Sequence, residues 1–124
     1  MVVSTEELDE VYVYTRTGTD WTLLQRLAFS ETDLTGSPHE TRLYITPDSS
    51  SIYVGMVGGS DSGLVYQFQK VDGLWLNVKT RSSPVSSYGN YFGRRGIAQN
   101  PANLELAIAE GGYGAGIGAV SIHS

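Results

Sequence analysis

The chain has 124 residues, of which 40% are hydrophobic and 10% aromatic, a composition that fits one domain with a packed core rather than a disordered segment. Its net charge of −5 disfavours a nucleic-acid partner, because phosphate binding needs a basic face. The absence of cysteine excludes disulfides. Neither a membrane-spanning apolar run nor a signal peptide is predicted.

The first quarter of the chain carries the first repeated pattern. Residues 1–10 are predicted to hold the end of one strand and its link to the next. In residues 10–21, EVYVYTRTGTDW, valine and tyrosine alternate, and a strand is predicted here. A glycine-containing turn follows, and Trp21 opens a further strand that reaches Leu27.

The middle of the chain contains four strand patterns in succession. The first ends at Ile45, a turn follows, and Ile52–Val54 alternates as the second strand. A glycine-rich link leads to residues 63–75, GLVYQFQKVDGLW, in which an Asp72-Gly73 turn joins the third strand to the fourth. We therefore predict a complete four-stranded unit over residues 40–80.

The last part of the chain is predicted to repeat the start of this unit. Ile97 ends a first strand, and residues 104–108, LELAI, alternate as a second strand. A glycine-rich link follows, and residues 118–123, GAVSIH, repeat part of the third strand. About ten strands are predicted in all, and the first and last units are partial. The predicted units are 1–28, 40–80 and 91–124.

These patterns recur at a nearly constant spacing, which indicates an internal repeat. Val11 and Val65 are 54 positions apart (65 − 11), and Val65 and Val120 are 55 apart (120 − 65). A second block, Ile45–Val54, matches Ile97–Leu106 at an offset of 52 (97 − 45). Four antiparallel strands per unit, with a period of about 50 residues, are typical of β-propeller blades.

The string from Tyr91 to Ala109, YFGRRGIAQNPANLELAIA, followed by a glycine-rich link, resembles an FG-GAP blade. This is the repeat of the integrin α-subunit propeller and of many bacterial and viral relatives. The resemblance covers nearly all of the chain, although Glu40-Thr41 stands where the later unit has Phe92-Gly93. It implies an all-β fold of four-stranded antiparallel propeller-type blades. Many FG-GAP blades bind calcium on the hairpin between their first two strands.

The number of predicted blades is the basis of the assembly prediction. The chain accounts for about two and a half blades, whereas a propeller closes with about four to eight. Uncovered sheet edges and apolar blade faces favour pairing with another chain. We therefore predict a fold that is incomplete in one chain and is completed by oligomerisation or strand exchange, in a closed ring or an open filament. A compact β-sandwich and a piece of a longer protein are the alternatives.

Alternation along the strands assigns their residues to two faces of each sheet. One face is predicted to be aliphatic, and the opposite face is predicted to be aromatic and to pack on the neighbouring blade. The aliphatic set is Val11, Val13, Val65, Val120 and Ile122, and the aromatic set is Tyr12, Tyr14, Tyr66 and Phe68. Trp21 and Trp75 are predicted to brace one blade against the next, with a plain core role or a sugar-stacking platform as alternatives.

The patterns that would carry metal or catalytic chemistry are weak. Calcium prefers about six to eight oxygen ligands, but of the two candidate hairpins only the first has a carboxylate, Asp48, which is predicted to form a turn instead. His39 and His123 have no ligand-spaced partners. A Ser-His-Asp triad stays open, because triads are assembled in space. We predict no metal, no cofactor and no enzymatic activity.

Three further residues are candidates for contacts with a partner. Arg94 and Arg95 are predicted to line a central channel or bind an acidic patch, or else to be ordinary surface arginines. Tyr113 is an aromatic candidate in the last glycine-rich link. The predicted function is that of a self-assembling structural protein, for example an extracellular fibre or viral appendage subunit. The alternative is a ligand-binding module, such as a lectin or adhesion domain with a glycan or protein partner.

Overall fold

A computed structural model describes residues 1–4, 10–27, 29, 40–57, 63–84, 91–93, 95–111 and 118–124. These residues contain ten β-strands and no helix, so the prediction of an all-β protein is confirmed. Accordingly, no helix in these ranges is long and apolar enough to cross a membrane. The strands are β1 (Val2–Ser4), β2 (Val11–Thr17), β3 (Asp20–Leu27), β4 (Glu40–Ile45), β5 (Ser51–Val57), β6 (Leu64–Val71), β7 (Leu74–Ser82), β8 (Gly96–Gln99), β9 (Leu106–Glu110) and β10 (Ala119–His123).

The strands form three antiparallel sheets, each built from strands that follow one another in the chain. Sheet I contains β1 to β3, sheet II contains β4 to β7, and sheet III contains β8 to β10. Within each sheet, strands that are consecutive in the chain pair with one another. The prediction of antiparallel sheets is confirmed. Their assignment as propeller blades, and their completion by other chains, stay predictions.

The hairpin at the centre of the predicted repeat forms where the sequence places it. Val71 pairs with Leu74 across a two-residue turn. Asp72 and Gly73 both have positive φ, at 50° and 86°, as a type I′ turn requires. This turn type follows the right-handed twist of the flanking strands, so the Asp-Gly pair fixes the register of β6 and β7.

The β2–β3 and β6–β7 hairpins share an irregularity at the same repeat position. In the β2–β3 pair the register shifts between Val13 and Tyr14. In the β6–β7 pair it shifts between Gln67 and Phe68, which lie 54 positions later (67 − 13). Because a bulge re-aims the side chains beyond it, a bulge at the same repeat position supports the 54-residue offset.

The offset assigned to the second block is wrong. Gln99 pairs with Leu106 at the place where Ile45 pairs with Ile52, so the two hairpins are offset by 54 (99 − 45) rather than 52. Leu104, predicted in the second strand, instead precedes β9, with a φ of 61° and 64% of its surface exposed. Its N–H donates to a carbonyl four residues earlier at 2.8 Å, and this turn keeps Leu104 out of the strand.

In the part of the chain that the structure describes, the core consists of two apolar layers, one on each face of sheet II. The layer between sheets I and II contains Val11, Val13, Leu27, Ile52, Val54, Met56, Tyr66, Phe68 and Trp75. The layer between sheets II and III contains Tyr53, Val65, Phe92, Leu106 and Ile108. Alternate residues of β5 and β6 enter opposite layers, as the period of a strand dictates. Both faces of sheet II are therefore buried along β5 and the first part of β6.

A side chain of sheet I holds the outer strand of sheet II. The Gln25 amide nitrogen donates to the Trp75 carbonyl at 2.8 Å, and its oxygen accepts from the Trp75 N–H, also at 2.8 Å. Gln25 thus completes the backbone hydrogen bonding of one residue of β7 in the way that a neighbouring strand would. The contact fixes β3 against β7 and positions the indole of Trp75 in the first core layer.

We expect Gln25→Ala to lower the free energy of unfolding by about 1–3 kcal/mol, because it leaves two part-buried backbone groups without their partner. The control is Lys79→Ala at the equivalent repeat position, where the side chain is exposed. That change should stay within about 0.5 kcal/mol. Urea unfolding checks both variants, and equal midpoints would show that the Gln25 contact is not stabilising.

Candidate interaction surfaces

The outer face of sheet III is apolar over all three of its strands. We call it the aliphatic end face, and strand register assigns to it Gly96, Ala98, Ala107, Ala109, Val120 and Ile122. Val120 and Ile122 are 64% and 63% exposed. They lie on the face that alternation predicts, but nothing in the described ranges buries them. The face is shallow, because alanines and a glycine fill its other positions.

The outer face of sheet I is aromatic. We call it the aromatic end face, and its members by register are Tyr12, Tyr14, Arg16, Trp21, Leu23 and Arg26. Trp21 is 48% exposed and Leu23 is 51% exposed. The Arg16 guanidinium lies 5.8 Å from the centre of the Trp21 ring, within the range of a cation–π contact. Two large apolar side chains thus stay half in water on one sheet face.

Trp21 and Trp75 differ in burial, and the difference follows from their neighbours. Trp75, at the equivalent position in sheet II, is only 6% exposed and lies in the layer between sheets I and II. Trp21 has the same place in its own sheet, but in the described ranges no sheet lies on that side. Trp21 therefore packs against no other sheet within one copy, whereas Trp75 packs between sheets I and II.

Polar contacts border the aromatic end face. Arg26 pairs with Glu10 at 2.6 Å, and the Tyr12 hydroxyl donates to the same carboxylate. The hydrogen bond to Glu10 raises the pKa of Tyr12, with a further contribution from burial. These contacts hold the Tyr12 ring at the edge of the face.

A tight backbone contact joins sheet III to sheet II. Phe92 is fully buried in the second core layer, and the N–H of Gly93 donates to the Ala109 carbonyl at 3.1 Å. Gly93 has a φ of 82°, and a Cβ there would lie 2.6 Å from a methyl carbon of Val65. A Cβ at Gly55 would lie 2.7 Å from the Gly93 carbonyl oxygen. The sheets therefore approach at a point where neither backbone carries a side chain.

A polar cluster lies beside the second core layer, and no sequence motif marks its members as a unit. Arg81 donates to the Gln67 side-chain oxygen at 2.9 Å, and Ser83 donates to Glu110 at 2.9 Å. Within sheet III, the Ser121 hydroxyl lies 2.9 Å from Nε2 of His123 and 3.4 Å from the Glu110 carboxylate. The bond from Ser83 to Glu110 then links these residues to the end of β7. Arg81 and Glu110 are both buried. The members are Gln67, Arg81, Ser83, Glu110, Ser121 and His123.

The polar cluster occupies repeat positions that are apolar in the first layer. Where the first layer has Leu27, Met56, Tyr66 and Phe68, the second has Arg81, Glu110, Ser121 and His123. Aligning the chain with itself at offsets of 54 and 55 is the signal that would have found this exchange. The two layers between the sheets are thus chemically different, although their backbones are equivalent.

The serine and histidine of this cluster do not have the geometry of a hydrolytic triad. In a triad the acid binds the imidazole nitrogen that faces away from the serine, and so orients the ring. Here Glu110 and His123 both contact the Ser121 hydroxyl instead. Burial lowers the pKa of the Arg81 guanidinium and raises the pKa of the Tyr53 hydroxyl, whose ring centre lies 6.0 Å away. These shifts accompany core packing between the sheets.

We expect the protein to lose stability as the pH falls below 6.5, because burial lowers the pKa of His123 from its ordinary value of 6.5. Arg81 and Lys79 lower it further, and Glu110 opposes them. The unfolded chain then binds its proton at higher pH than the folded chain, so protonation favours unfolding. Stability is complete above 6.5 and decreases toward the folded-state pKa.

Urea unfolding at about pH 7.5 and about pH 5.5 tests this assignment. The control is His123→Phe, which places at this position the residue found at the equivalent Phe68. Because His39 is present in both proteins, only the difference between them reports on His123. Equal losses of stability in both proteins would show that His123 is not responsible.

The remaining predicted positions are located as follows. Asp48 forms a turn, as predicted: its carboxylate accepts from the Thr46 hydroxyl at 2.6 Å and from the Ser50 N–H at 3.0 Å. The hydrogen bond from Thr46 contributes most to lowering the pKa of Asp48, and the bonds from Ser50 contribute next. Arg95 is exposed. Arg94 and Tyr113 lie outside the described residues, within which no group of three potential metal ligands occurs.

The described residues define an all-β fold in which three antiparallel sheets stack and an apolar face is exposed at each end of the stack. Comparison with protein-family models, with curated proteins and with solved structures finds no match for this chain. The resemblance to FG-GAP repeats therefore stays a prediction.

Proposed function

We propose that this protein is a non-enzymatic structural protein that associates with copies of itself through the outer faces and edges of its sheets. The exposure of Val120, Ile122 and Trp21 on two separate end faces carries this proposal. Contiguous apolar faces of this kind mark interaction sites more often than free surface. Covering them would remove apolar area from water, which is the main driving force of protein association.

The sheet edges support the same function. Strand β10 pairs with β9 on one side, and no described strand pairs with it on the other. An unpaired edge offers a row of backbone donors and acceptors to another strand. Edge pairing and face packing are compatible, because they use perpendicular directions of the same sheet.

Light scattering over a concentration series tests the proposed function. We expect the mean mass to rise above the 13.4 kDa of one chain as the concentration increases. A mean mass that stays at that of one chain up to about 1 mM protein would contradict self-association, because even weak contacts are populated at this concentration.

The half-exposed indole of Trp21 favours glycan binding as a second candidate. Sugars stack on such aromatic surfaces. Titration with a panel of oligosaccharides would then change the tryptophan emission of a protein that stays monomeric. Unchanged emission across the panel would remove this candidate.

A further inference from the structure

We propose that copies of this chain associate head to tail, with the aliphatic end face of one copy covering the aromatic end face of the next. This arrangement rests on the proposed self-association, and it specifies which two surfaces meet and in which direction the copies follow one another. The contact would repeat, between copies, the packing that already joins sheet I to sheet II within one copy.

The packing of sheet I on sheet II sets the pattern. Val11 and Val13 of sheet I are 0% and 4% exposed, and they lie in one layer with the aromatic face of sheet II. That face presents Tyr66, Phe68 and Trp75, which are 1%, 3% and 6% exposed. Sheet I thus contributes aliphatic side chains, and sheet II contributes large aromatic rings from β6 and β7 beside the aliphatic residues of β5.

The two end faces carry the two halves of this pattern. Strand register makes Val120 and Ile122 equivalent to Val11 and Val13. On the aromatic end face, Tyr12, Tyr14 and Trp21 are equivalent to Tyr66, Phe68 and Trp75. Each of these end-face positions therefore has a counterpart in the same chain that is nearly completely buried in the first layer.

The chemistry of the end faces matches the first layer rather than the second. Between sheets II and III, Gln67, Arg81 and His123 stand at positions that are apolar between sheets I and II. The aliphatic end face has Ile122 where sheet II has Gln67, and the aromatic end face has Tyr14 where sheet III has His123. At these positions a contact between copies would thus be apolar, as it is in the first layer.

The proposed contact is heterologous, because it joins two different faces. Each copy that uses its aliphatic end face still presents an aromatic end face for another copy. Such contacts generate a closed ring when the rotation between copies closes, and an open filament when it does not. Two variants, each with one disabled face, should therefore complement one another.

The test uses Val120→Glu, which places a charge on the aliphatic end face, and Trp21→Glu, which places one on the aromatic end face. Both side chains are largely exposed in the single chain, so the fold should be retained, which circular dichroism and urea unfolding check. Each variant alone should associate at least about 100-fold more weakly than the wild type, since an unpaired charge would be buried. The control is Leu76→Glu, an equally exposed position in sheet II, where we expect wild-type association.

The decisive sample is the equimolar mixture of the two variants. Val120→Glu retains its aromatic end face and Trp21→Glu retains its aliphatic end face, so the mixture should form a complex of two chains and stop there. Sedimentation velocity would detect this species. A mixture that stays monomeric while the wild type associates would overturn the head-to-tail arrangement. Single variants that associate as strongly as the wild type would overturn it too. Both outcomes would leave self-association itself standing. A wild type that stays monomeric defeats the proposed function itself.

Discussion

Trp75→Ala should lower the free energy of unfolding by about 3–5 kcal/mol, whereas Trp21→Ala should lower it by less than about 1 kcal/mol. The two tryptophans occupy the same repeat position, and they differ in what covers them. Trp75 is 6% exposed in the layer between sheets I and II, and Trp21 is 48% exposed on the outer face of sheet I. Removing Trp75 opens a cavity, while removing Trp21 removes a half-solvated ring.

Urea unfolding at a concentration low enough to keep the chain monomeric measures both changes. This condition matters, because association adds to apparent stability by mass action. At high concentration we expect Trp21→Ala to weaken association, while its effect on the isolated chain stays small. Equal losses of stability for the two variants at low concentration would contradict the assignment of inner and outer faces.

We expect Gly93→Ala to lower the free energy of unfolding by about 2–5 kcal/mol, for two reasons that add. The new Cβ would lie 2.6 Å from a methyl carbon of Val65, so the packed contact between sheets II and III must open. The φ of 82° at Gly93 is also one that a residue with a Cβ adopts at a cost of about 1–2 kcal/mol.

The control for Gly93 is Gly96→Ala, only three positions later. No heavy atom lies within 4 Å of a Cβ added at Gly96. We expect that change to stay within about 0.5 kcal/mol of the wild type. Urea midpoints compare the two variants, and similar stabilities would show that the contact between Gly55 and Gly93 does not limit how closely the sheets approach.

The sequence predicts the hairpins well, because their signals are local. The Asp72-Gly73 pair determines a type I′ turn, and alternation on either side of it determines the two faces of β6 and β7. Val65 and Tyr66 accordingly enter opposite core layers. The all-β class and the antiparallel order of the strands follow from the same local patterns.

Features that depend on contacts between distant residues were not predictable in this way. Leu104 has a strand-like neighbourhood, but the backbone bonds of its own loop decide its conformation. Trp21 and Trp75 stand in similar local sequence, and only the presence of a neighbouring sheet distinguishes them. The contact between Gln25 and the Trp75 backbone spans fifty residues and has no sequence signature.

The polar cluster was missed for a different reason. Ser121 and His123 attract little attention as single residues, and Glu110 stands at the end of an apolar run. Their meaning appears only when each is compared with its repeat equivalent, and that comparison needs the correct offset of the second block. An error of two positions was sufficient to pair Glu110 with the wrong residue.

The most direct test of the central claim is acrylamide quenching of tryptophan fluorescence as a function of protein concentration. The chain has two tryptophans, and since Trp75 is already buried, the quenchable emission reports on Trp21 and hence on the aromatic end face. If copies cover this face, quenching of the wild type should decrease as its mass rises, and quenching of Val120→Glu should stay at the monomer value. Quenching that stays constant while the wild type associates would show that the aromatic end face remains in solvent, and that the copies meet elsewhere.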